Sequence, residues 1–261
     1  GLALAGYKPV VSTFAVFAAL RSAEFVRTDI CYQNLDVKII ATHAGISFGQ
    51  AGSTHHCTED IAVMRSFANM TVIVPADGIE TGNAVAAAMD WPGPVYIRIG
   101  RGFEPPVNTT ADYGFQIGKA VTMREGKDIT LICCGVTVLQ AVRAAKILET
   151  QGLSVRIINM HTIKPIDREV ILKAVMETRR IVTIEEHNVM CGLGSAVAEV
   201  IVESGKACAF TKLGIPDQYV IVGYPEDLYN HYKIDADGIV EAVSALMGRE
   251  IEEDENWDDE T

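Results

Sequence analysis

The residues with the clearest chemical potential lie in one short segment, 43–56, which reads HAGISFGQAGSTHH. It holds three of the six histidines, His43, His55 and His56, together with three glycines. Imidazole donates or accepts a proton near neutral pH, so grouped histidines suit acid–base chemistry or the binding of polar oxygens. A single histidine is more often a surface or capping residue, but three in one glycine-rich loop favour a functional site.

The elements around this loop place it at the end of a strand. The apolar, β-branched run 37–42 precedes it directly, and similar runs alternate with helical stretches between Pro9 and Gly100. This alternation is typical of a parallel α/β sheet, in which ligands bind beyond the carboxyl ends of the strands. The pattern predicts strands at 10–14, 37–42, 71–74 and 95–99 and helices at 15–27, 58–67 and 77–90. Asp77 is expected to cap the last of these helices, with Glu80 at the capping-box position.

A second alternating unit follows a Pro-led polar stretch that is typical of a linker. Its predicted strands are 129–134, 154–159, 180–185 and 219–222, and its predicted helices are 137–151, 168–178, 194–204 and 238–247. We therefore expect an α/β fold of two consecutive parallel-sheet domains. The expected boundaries are a first domain at 1–104, a linker at 105–114, a second domain at 115–248 and an acidic tail at 249–261. Because the opening GLALAG has no initiator Met or signal features, the first domain is expected to begin inside a helix.

Composition excludes several classes of function. The net charge of -12 argues against nucleic acid as a partner, and no apolar run approaches the roughly 18 residues that a membrane span requires. The six cysteines form no C-x-x-C pair, which favours free thiols in a reducing cytoplasm. Cys133 and Cys134 are expected to be buried packing, and Cys57 is more simply incidental than nucleophilic. For Glu185, Glu186 and His187 we favour structural contacts over acid–base chemistry.

Several ordered motifs carry a family resemblance. The segments STFAVF (12–17), ATHAGISFG (41–49), GSTHH (52–56), EDIAVMR (59–65), VPAD (74–77) and IRIGR (97–101) resemble, in order and spacing, the pyrimidine-binding domain of transketolases. The likeness continues through EEHN (185–188) and GLGSA (192–196) in the second domain. It thus covers nearly the whole chain up to the acidic tail. The chain resembles the C-terminal section of a split transketolase, a pyrimidine-binding domain followed by a transketolase C-terminal domain.

The resemblance implies roles for five residues. Phe14 and Phe17 would stack on the aminopyrimidine ring of thiamine diphosphate, although two aromatics at this spacing are, by themselves, more typical of a core. His55 would be the catalytic residue that hydrogen-bonds the donor's terminal hydroxyl and carbonyl oxygen. His43 and Arg101 would bind the phosphate of a sugar phosphate, for which the Arg guanidinium offers charge-assisted contacts.

Arg98 and Ala51 raise separate questions. Arg98 shares the strand run that leads to the phosphate-binding position, but a surface or inter-subunit ion pair explains it equally well. Ala51 stands where transketolases carry an aspartate that contacts a substrate hydroxyl, and the loss of such a hydrogen bond is worth about 1 kcal/mol. The sugar accepted is therefore expected to differ from the usual ones.

The resemblance also implies partners. The glutamate that activates the cofactor would fall upstream of Gly1, and no Gly-Asp-Gly motif for the diphosphate occurs in the chain. A separate diphosphate-binding subunit would therefore hold the diphosphate and a divalent metal, Mg or Ca, in a heterotetramer, with no metal ligand from this chain.

The implied reaction is the transfer of a two-carbon ketol unit between sugar phosphates. Three alternatives stay open: a deoxyxylulose-phosphate synthase, the β subunit of a 2-oxoacid dehydrogenase, and a non-catalytic homologue. The first two would release carbon dioxide from a 2-oxo acid. The histidine loop and Arg101 favour sugar phosphates.

Overall fold

The computed structural model describes residues 1–102, 105–108, 110 and 113–248. Its strands are β1 (Val10–Phe14), β2 (Lys38–Thr42), β3 (Thr71–Ile73), β4 (Val95–Arg98), β5 (Val121–Arg124), β6 (Ile129–Cys133), β7 (Val155–Asn159), β8 (Thr162–Lys164), β9 (Arg180–Asn188) and β10 (Ala209–Ile215). Its α-helices are α1 (Ala23–Phe25), α2 (Asp60–Ser66), α3 (Gly78–Asp90), α4 (Thr137–Thr150), α5 (Arg168–Glu177), α6 (Leu193–Glu203), α7 (Pro225–His231) and α8 (Ala236–Met247). Among the described helices, none is long and apolar enough to cross a membrane.

The strands form two five-stranded sheets, ordered β1-β2-β4-β3-β8 and β10-β9-β6-β7-β5. The central strands of each sheet pair in parallel and are buried on both faces, which explains their continuous apolar runs. One edge strand in each sheet is antiparallel: β8 on β3, and β5 on β7. The expectation of two parallel-sheet units is thus confirmed, with these two antiparallel edges added.

Strand β8 departs from the expected division of the chain. It follows β7 of the second sheet directly, yet it pairs with β3 of the first sheet through Val72 and Ile73. The backbone N–H of Val74 also donates to the carbonyl of His161 at 2.7 Å. The first sheet is therefore completed by residues from the second half of the chain.

Most predicted elements agree with observed ones, but β5, β8, β10 and α7 were not predicted, and several predicted elements differ in detail. The helix expected at 15–27 is wound as two π-helical segments, Phe17–Arg21 and Val26–Cys31, which flank α1. Asp77 caps α3 by accepting from the N–H of Glu80 at 2.8 Å, but the Glu80 carboxylate accepts from Ala76 and does not close the capping box.

The strand expected at 219–222 is wrong. Only Val220 of that run is buried, and its carbonyl accepts from the hydroxyl of Ser53 rather than from a ladder partner. The N–H of Ile221 donates to the hydroxyl of Tyr232 at 3.1 Å. Side chains thus satisfy backbone groups that a sheet would have paired, and β10 forms the sheet edge instead. The acidic tail at 249–261 and residues 109, 111 and 112 of the expected linker lie outside the described part of the chain.

Candidate functional site

Four of the five predicted site residues meet at the carboxyl ends of β1 and β2. The parallel pairing sets Phe14 beside Thr42, so the residue after Thr42, His43, lies against the Phe14 ring. The two rings stack with centroids 4.0 Å apart. Phe17 lies nearly parallel to Phe14 at 6.0 Å, and His55 meets Phe17 edge-on at 5.6 Å. The half-buried rings of Phe14 and Phe17 therefore form one aromatic surface, called the aromatic floor below. The imidazoles of His43 and His55 lie against it.

His43 turns the chain out of the sheet and into the loop. Its φ of 56° lies in the left-handed region, which few non-glycine residues adopt. The backbone N–H of His43 donates to the carbonyl of Gly100, and its Nδ1 lies 3.0 Å from the hydroxyl of Thr42. These contacts fix the ring against Phe14, close to the predicted cofactor position.

His55 and His56 adopt different environments within the same turn. The ring of His55 is half-buried, and its Nδ1 lies 2.9 Å from the hydroxyl of Thr54. His56 is buried, with Nε2 3.0 Å from the carbonyl of Gly49, and desolvation lowers its pKa below the ordinary value. A carbonyl can only accept, so Nε2 of His56 carries the proton. His56 therefore supports the loop, while His55 faces the aromatic floor.

Phe48 joins the two residues predicted to bind phosphate. Its ring contacts His43 edge-on at 5.3 Å, and the guanidinium carbon of Arg101 lies 4.8 Å from its centroid, a cation–π contact. Phe48 was not predicted as a site residue, because one aromatic residue within a glycine-rich loop has no periodicity to distinguish it. Arg101 and Gln50 also line a cleft of about 570 Å³ between the two domains.

The back of the loop rests on the second domain. The N–H of Ile46 donates to Oε1 of Glu186 at 3.0 Å, and the hydroxyl of Tyr229 donates to the same oxygen at 3.0 Å. A Cβ on Gly45 would collide with the Glu186 carboxylate, and one on Gly49 would collide with the carbonyl of Gly223. Neither Glu186 nor Tyr229 was predicted as part of the site, since no local pattern links them to a loop so distant in sequence.

Arg98 is not a surface or inter-subunit residue, so that expectation is wrong. Its side chain is 4% exposed and pairs with Asp60 at 2.9 Å and with Glu186 at 3.6 Å. Its guanidinium also donates to the carbonyls of Cys57 and Glu186. Desolvation lowers the pKa of Arg98, but the two carboxylates outweigh it and the net shift is upward. A charged Arg98 therefore ties the loop's end to the second domain.

Glu185 and His187 make structural contacts, as the sequence led us to expect. Glu185 accepts from the N–H groups of Leu193 and Gly194 at the start of α6, and burial raises its pKa to about 7. His187 is fully buried against α2, where desolvation lowers its pKa to about 4. These groups join helices to the second sheet and lie outside the aromatic floor.

Three cysteines and Ala51 are placed as follows. Cys57, Cys133 and Cys134 are buried free thiols, as expected. Ala51 lies in a short 3-10 turn, Gly49–Ala51, and is half-buried beside the site. In the described part of the chain, no group of three or more His, Cys, Asp or Glu side chains has the arrangement of a metal site.

Comparison with known proteins identifies both halves of the chain. Residues 1–104 match the transketolase pyrimidine-binding domain, and residues 118–239 match the transketolase C-terminal domain. One subunit of an apulose-4-phosphate transketolase from Phocaeicola vulgatus is 40% identical over 92% of this chain and 76% of its own length. A putative transketolase C-terminal section from Methanocaldococcus jannaschii is 39% identical over 96% of this chain and 78% of its own length.

A solved structure shares the architecture as well. A split-gene transketolase, described as an inactive β4 tetramer, superposes with a TM-score of 0.86 at 42% identity, covering 95% of this chain and 78% of that one. The family models together span most of the chain, and the relatives extend the likeness across both domains. The chain therefore belongs to the transketolase family, as the part of a transferase that carries the pyrimidine-binding and C-terminal domains.

Proposed function

We propose that this chain is a subunit of a thiamine-diphosphate-dependent transketolase that transfers a two-carbon ketol unit between sugar phosphates. The observation that carries the proposal is the convergence of Phe14, Phe17, His43 and His55 at the carboxyl ends of two paired strands. A flat heterocycle requires a stacking surface, and a hydroxylated donor requires hydrogen-bonding groups. The name of the Phocaeicola relative, a transketolase subunit, supports the same function.

The aromatic floor fits the aminopyrimidine ring of the cofactor. Phe14 and Phe17 are half-buried, nearly parallel and adjacent, so their rings offer apolar surface that remains accessible. These two residues would hold the pyrimidine by stacking and by exclusion of water. Thiamine diphosphate supplies, when bound, the nucleophilic carbon that takes up the two-carbon unit.

His55 is proposed as the catalytic residue. When the hydroxyl of Thr54 donates to Nδ1 of His55, the ring proton is on Nε2. Nε2 can then donate to a carbonyl oxygen or hydroxyl of the donor sugar, and its edge-on contact with Phe17 keeps it next to the cofactor surface. His55 would thus orient the donor and stabilise charge on its oxygen.

His43 and Arg101 are proposed to bind the substrate phosphate. Both contact Phe48, which holds them on the same side of the loop. The guanidinium provides paired N–H donors for phosphate oxygens, and His43 adds a further donor. Ala51, in the adjacent turn, offers a methyl group in place of a hydrogen-bond acceptor, so we expect a substrate that lacks the hydroxyl contact made elsewhere in the family.

The diphosphate and a divalent metal, Mg or Ca, would be held by a diphosphate-binding partner subunit, and we propose a heterotetramer of the two kinds of chain. The proposed division of this chain is 1–104, a linker at 105–114 and 115–248, with β8 shared between the sheets. The free thiols of all six cysteines support a reducing compartment such as the cytoplasm.

The test is reconstitution of the full-length gene product with its diphosphate-binding subunit, thiamine diphosphate and Mg. Ketol transfer should be measured against a panel of ketose and aldose phosphates. His55→Ala should lower kcat/KM by about 100-fold or more, the range found when one hydrogen-bond donor to a developing oxyanion is removed. Arg101→Ala should mainly raise KM for phosphorylated substrates. His231→Ala, an exposed site on α7, is the matched control.

Three results would contradict the proposal. Release of carbon dioxide from pyruvate without ketol transfer would indicate a 2-oxo-acid enzyme. Cofactor binding without any turnover would indicate a non-catalytic homologue. Full activity of His55→Ala would remove the residue from the mechanism.

A further inference from the structure

A buried carboxylate, that of Glu186, is one of the groups through which the second domain contacts the substrate loop. Glu186 lies in β9, its side chain is 1% exposed, and its Oε1 accepts both the N–H of Ile46 and the hydroxyl of Tyr229. Ile46 lies between His43 and Phe48, two of the residues that line the site. The carboxylate therefore accepts a hydrogen bond from the loop on the side of the loop that faces the second domain, where it is buried from solvent.

The position of Glu186 is itself fixed from three directions. Oε2 pairs with Arg98 at 3.6 Å, the backbone carbonyl of Glu186 accepts from the same guanidinium at 2.8 Å, and Tyr229 reaches it from α7. A buried carboxylate needs such partners, because a desolvated charge is strongly unfavourable without them. Glu186 is thus held by Arg98 from the first domain and by Tyr229 from the second.

The loop conforms closely to that acceptor. Gly45 has a φ of 59° and approaches the Glu186 carboxylate so closely that any side chain would collide with it. The carbonyl of Gly49 accepts from the N–H of Gly223, and Leu228 on α7 lies 2.7 Å from where a Cβ of Gly49 would stand. The segment between these glycines is therefore packed against the second domain at both of its ends.

We propose that Glu186 is a positioning residue for the active site: through the Ile46 amide it sets the spacing of His43, Phe48 and His55, with Tyr229 and Arg98 orienting its carboxylate. The effect on turnover rests on the proposed function. The effect on the loop's conformation does not, because it concerns only the contacts of the loop. Through Glu186, the C-terminal domain determines the geometry of a loop whose substrate-facing side chains all come from the first domain.

The experiment compares hydrogen exchange of the loop in the intact assembly, without substrate, in Tyr229→Phe, Glu186→Gln and Glu186→Ala. Tyr229→Phe removes one donor to Glu186 and leaves the ion pair with Arg98 in place, so it tests the idea even if the Glu186 variants fold poorly. Exchange of the Ile46 amide should accelerate at least about tenfold in Glu186→Ala, the ratio expected for a lost hydrogen bond to a charged acceptor. Glu186→Gln retains a neutral acceptor and should fall between wild type and Glu186→Ala.

Tyr113→Phe is the matched control. The Tyr113 hydroxyl donates to Glu80 at 2.6 Å, and Glu80 is also buried, but the hydrogen bonds that Glu80 accepts come from Tyr113, Asn159 and the N–H of Ala76 rather than from the loop. Tyr113→Phe should leave exchange at Ile46 unchanged while it lowers stability by a similar amount. Equal protection of Ile46 in wild type, Tyr229→Phe and Glu186→Gln would overturn the proposal.

Kinetics in the reconstituted enzyme provide the second readout. The Tyr229→Phe and Glu186→Gln variants should lower kcat/KM for the phosphorylated donor several-fold, with Tyr113→Phe at the wild-type value. If no ketol transfer occurs even in wild type, the proposed function fails, whereas the exchange result still decides the role of Glu186. If transfer occurs but Tyr113→Phe and Tyr229→Phe lower kcat/KM equally, the role of Glu186 is structural only and the inference is wrong.

Discussion

Replacement of Arg98 by methionine is expected to destabilise the protein more than the same replacement of a buried arginine whose partner carboxylates are exposed. The guanidinium is 4% exposed, and its partners Asp60 and Glu186 are 0% and 1% exposed. Arg98→Met would leave two buried carboxylates without their cation. Removal of one partner from a buried ion pair destabilises by about 3–5 kcal/mol, because the remaining charge cannot be hydrated.

Arg156 is the matched control for this prediction. Its side chain is also nearly buried, at 7% exposed, and it also pairs with two glutamates, Glu125 and Glu177. Those partners are 63% and 46% exposed, so water solvates them once the arginine is gone. Arg156→Met should therefore destabilise by only about 1 kcal/mol. The two variants differ in the burial of the partners rather than in the burial of the arginine.

The measurement is the free energy of unfolding in urea at neutral pH, followed by circular dichroism and by tryptophan fluorescence. A double variant, Arg98→Met with Asp60→Asn, should be more stable by about 1–3 kcal/mol than the sum of the two single changes predicts. The reason is that Asp60→Asn removes one of the buried carboxylates that Arg98→Met leaves without a cation. Arg98→Met that destabilises no more than Arg156→Met would refute the reasoning, since burial of the partner carboxylates would then have no energetic consequence.

Three further predictions concern packing, pH and thiol reactivity. Gly49→Ala should destabilise the protein by about 1–3 kcal/mol, because the added methyl group collides with the second domain. Gly82→Ala, at an open position inside α3, should stabilise it by about 0.5–1 kcal/mol. Thermal unfolding of the two variants tests both expectations. Burial lowers the pKa of His187 from 6.5 to about 4, so the unfolded chain takes up a proton first as pH falls, and stability should drop between pH 6.5 and 4. Urea unfolding across that range should show a smaller drop in His187→Gln. Exposed Cys191 should react with a thiol reagent in the native protein, whereas buried Cys57, whose pKa is raised by desolvation, should react only on unfolding.

The parts of the fold that local sequence patterns determine were predictable. Strand β1 has the predicted bounds, and the predicted helices of the second domain lie within a few residues of α4, α5, α6 and α8. Apolar periodicity marks these helices in the local sequence, and Asp167 and Asp235 cap α5 and α8. Strand β8 could not be found in the same way, because three residues carry no period and its partner β3 lies far back in the chain.

The same distinction holds for the site. The register that pairs Phe14 with Thr42 brings Phe14 and His43 together as soon as two neighbouring parallel strands are predicted. Their roles toward a cofactor and a sugar phosphate came from the family resemblance and stay predictions. Glu186 and Tyr229 could not be predicted, since they reach the loop only after the two domains have packed.

The crossing of β8 into the first sheet has a consequence for synthesis on the ribosome. The chain through Ile73 emerges first, but the edge of β3 stays without its antiparallel neighbour until Lys164 has been made and has left the exit tunnel. At roughly 5–20 residues per second, that interval lasts several seconds. During it, a strand that ends up fully buried presents unpaired backbone groups, the kind of edge that recruits other chains. A nascent chain that stalls before β8 should therefore depend on holding chaperones until translation resumes.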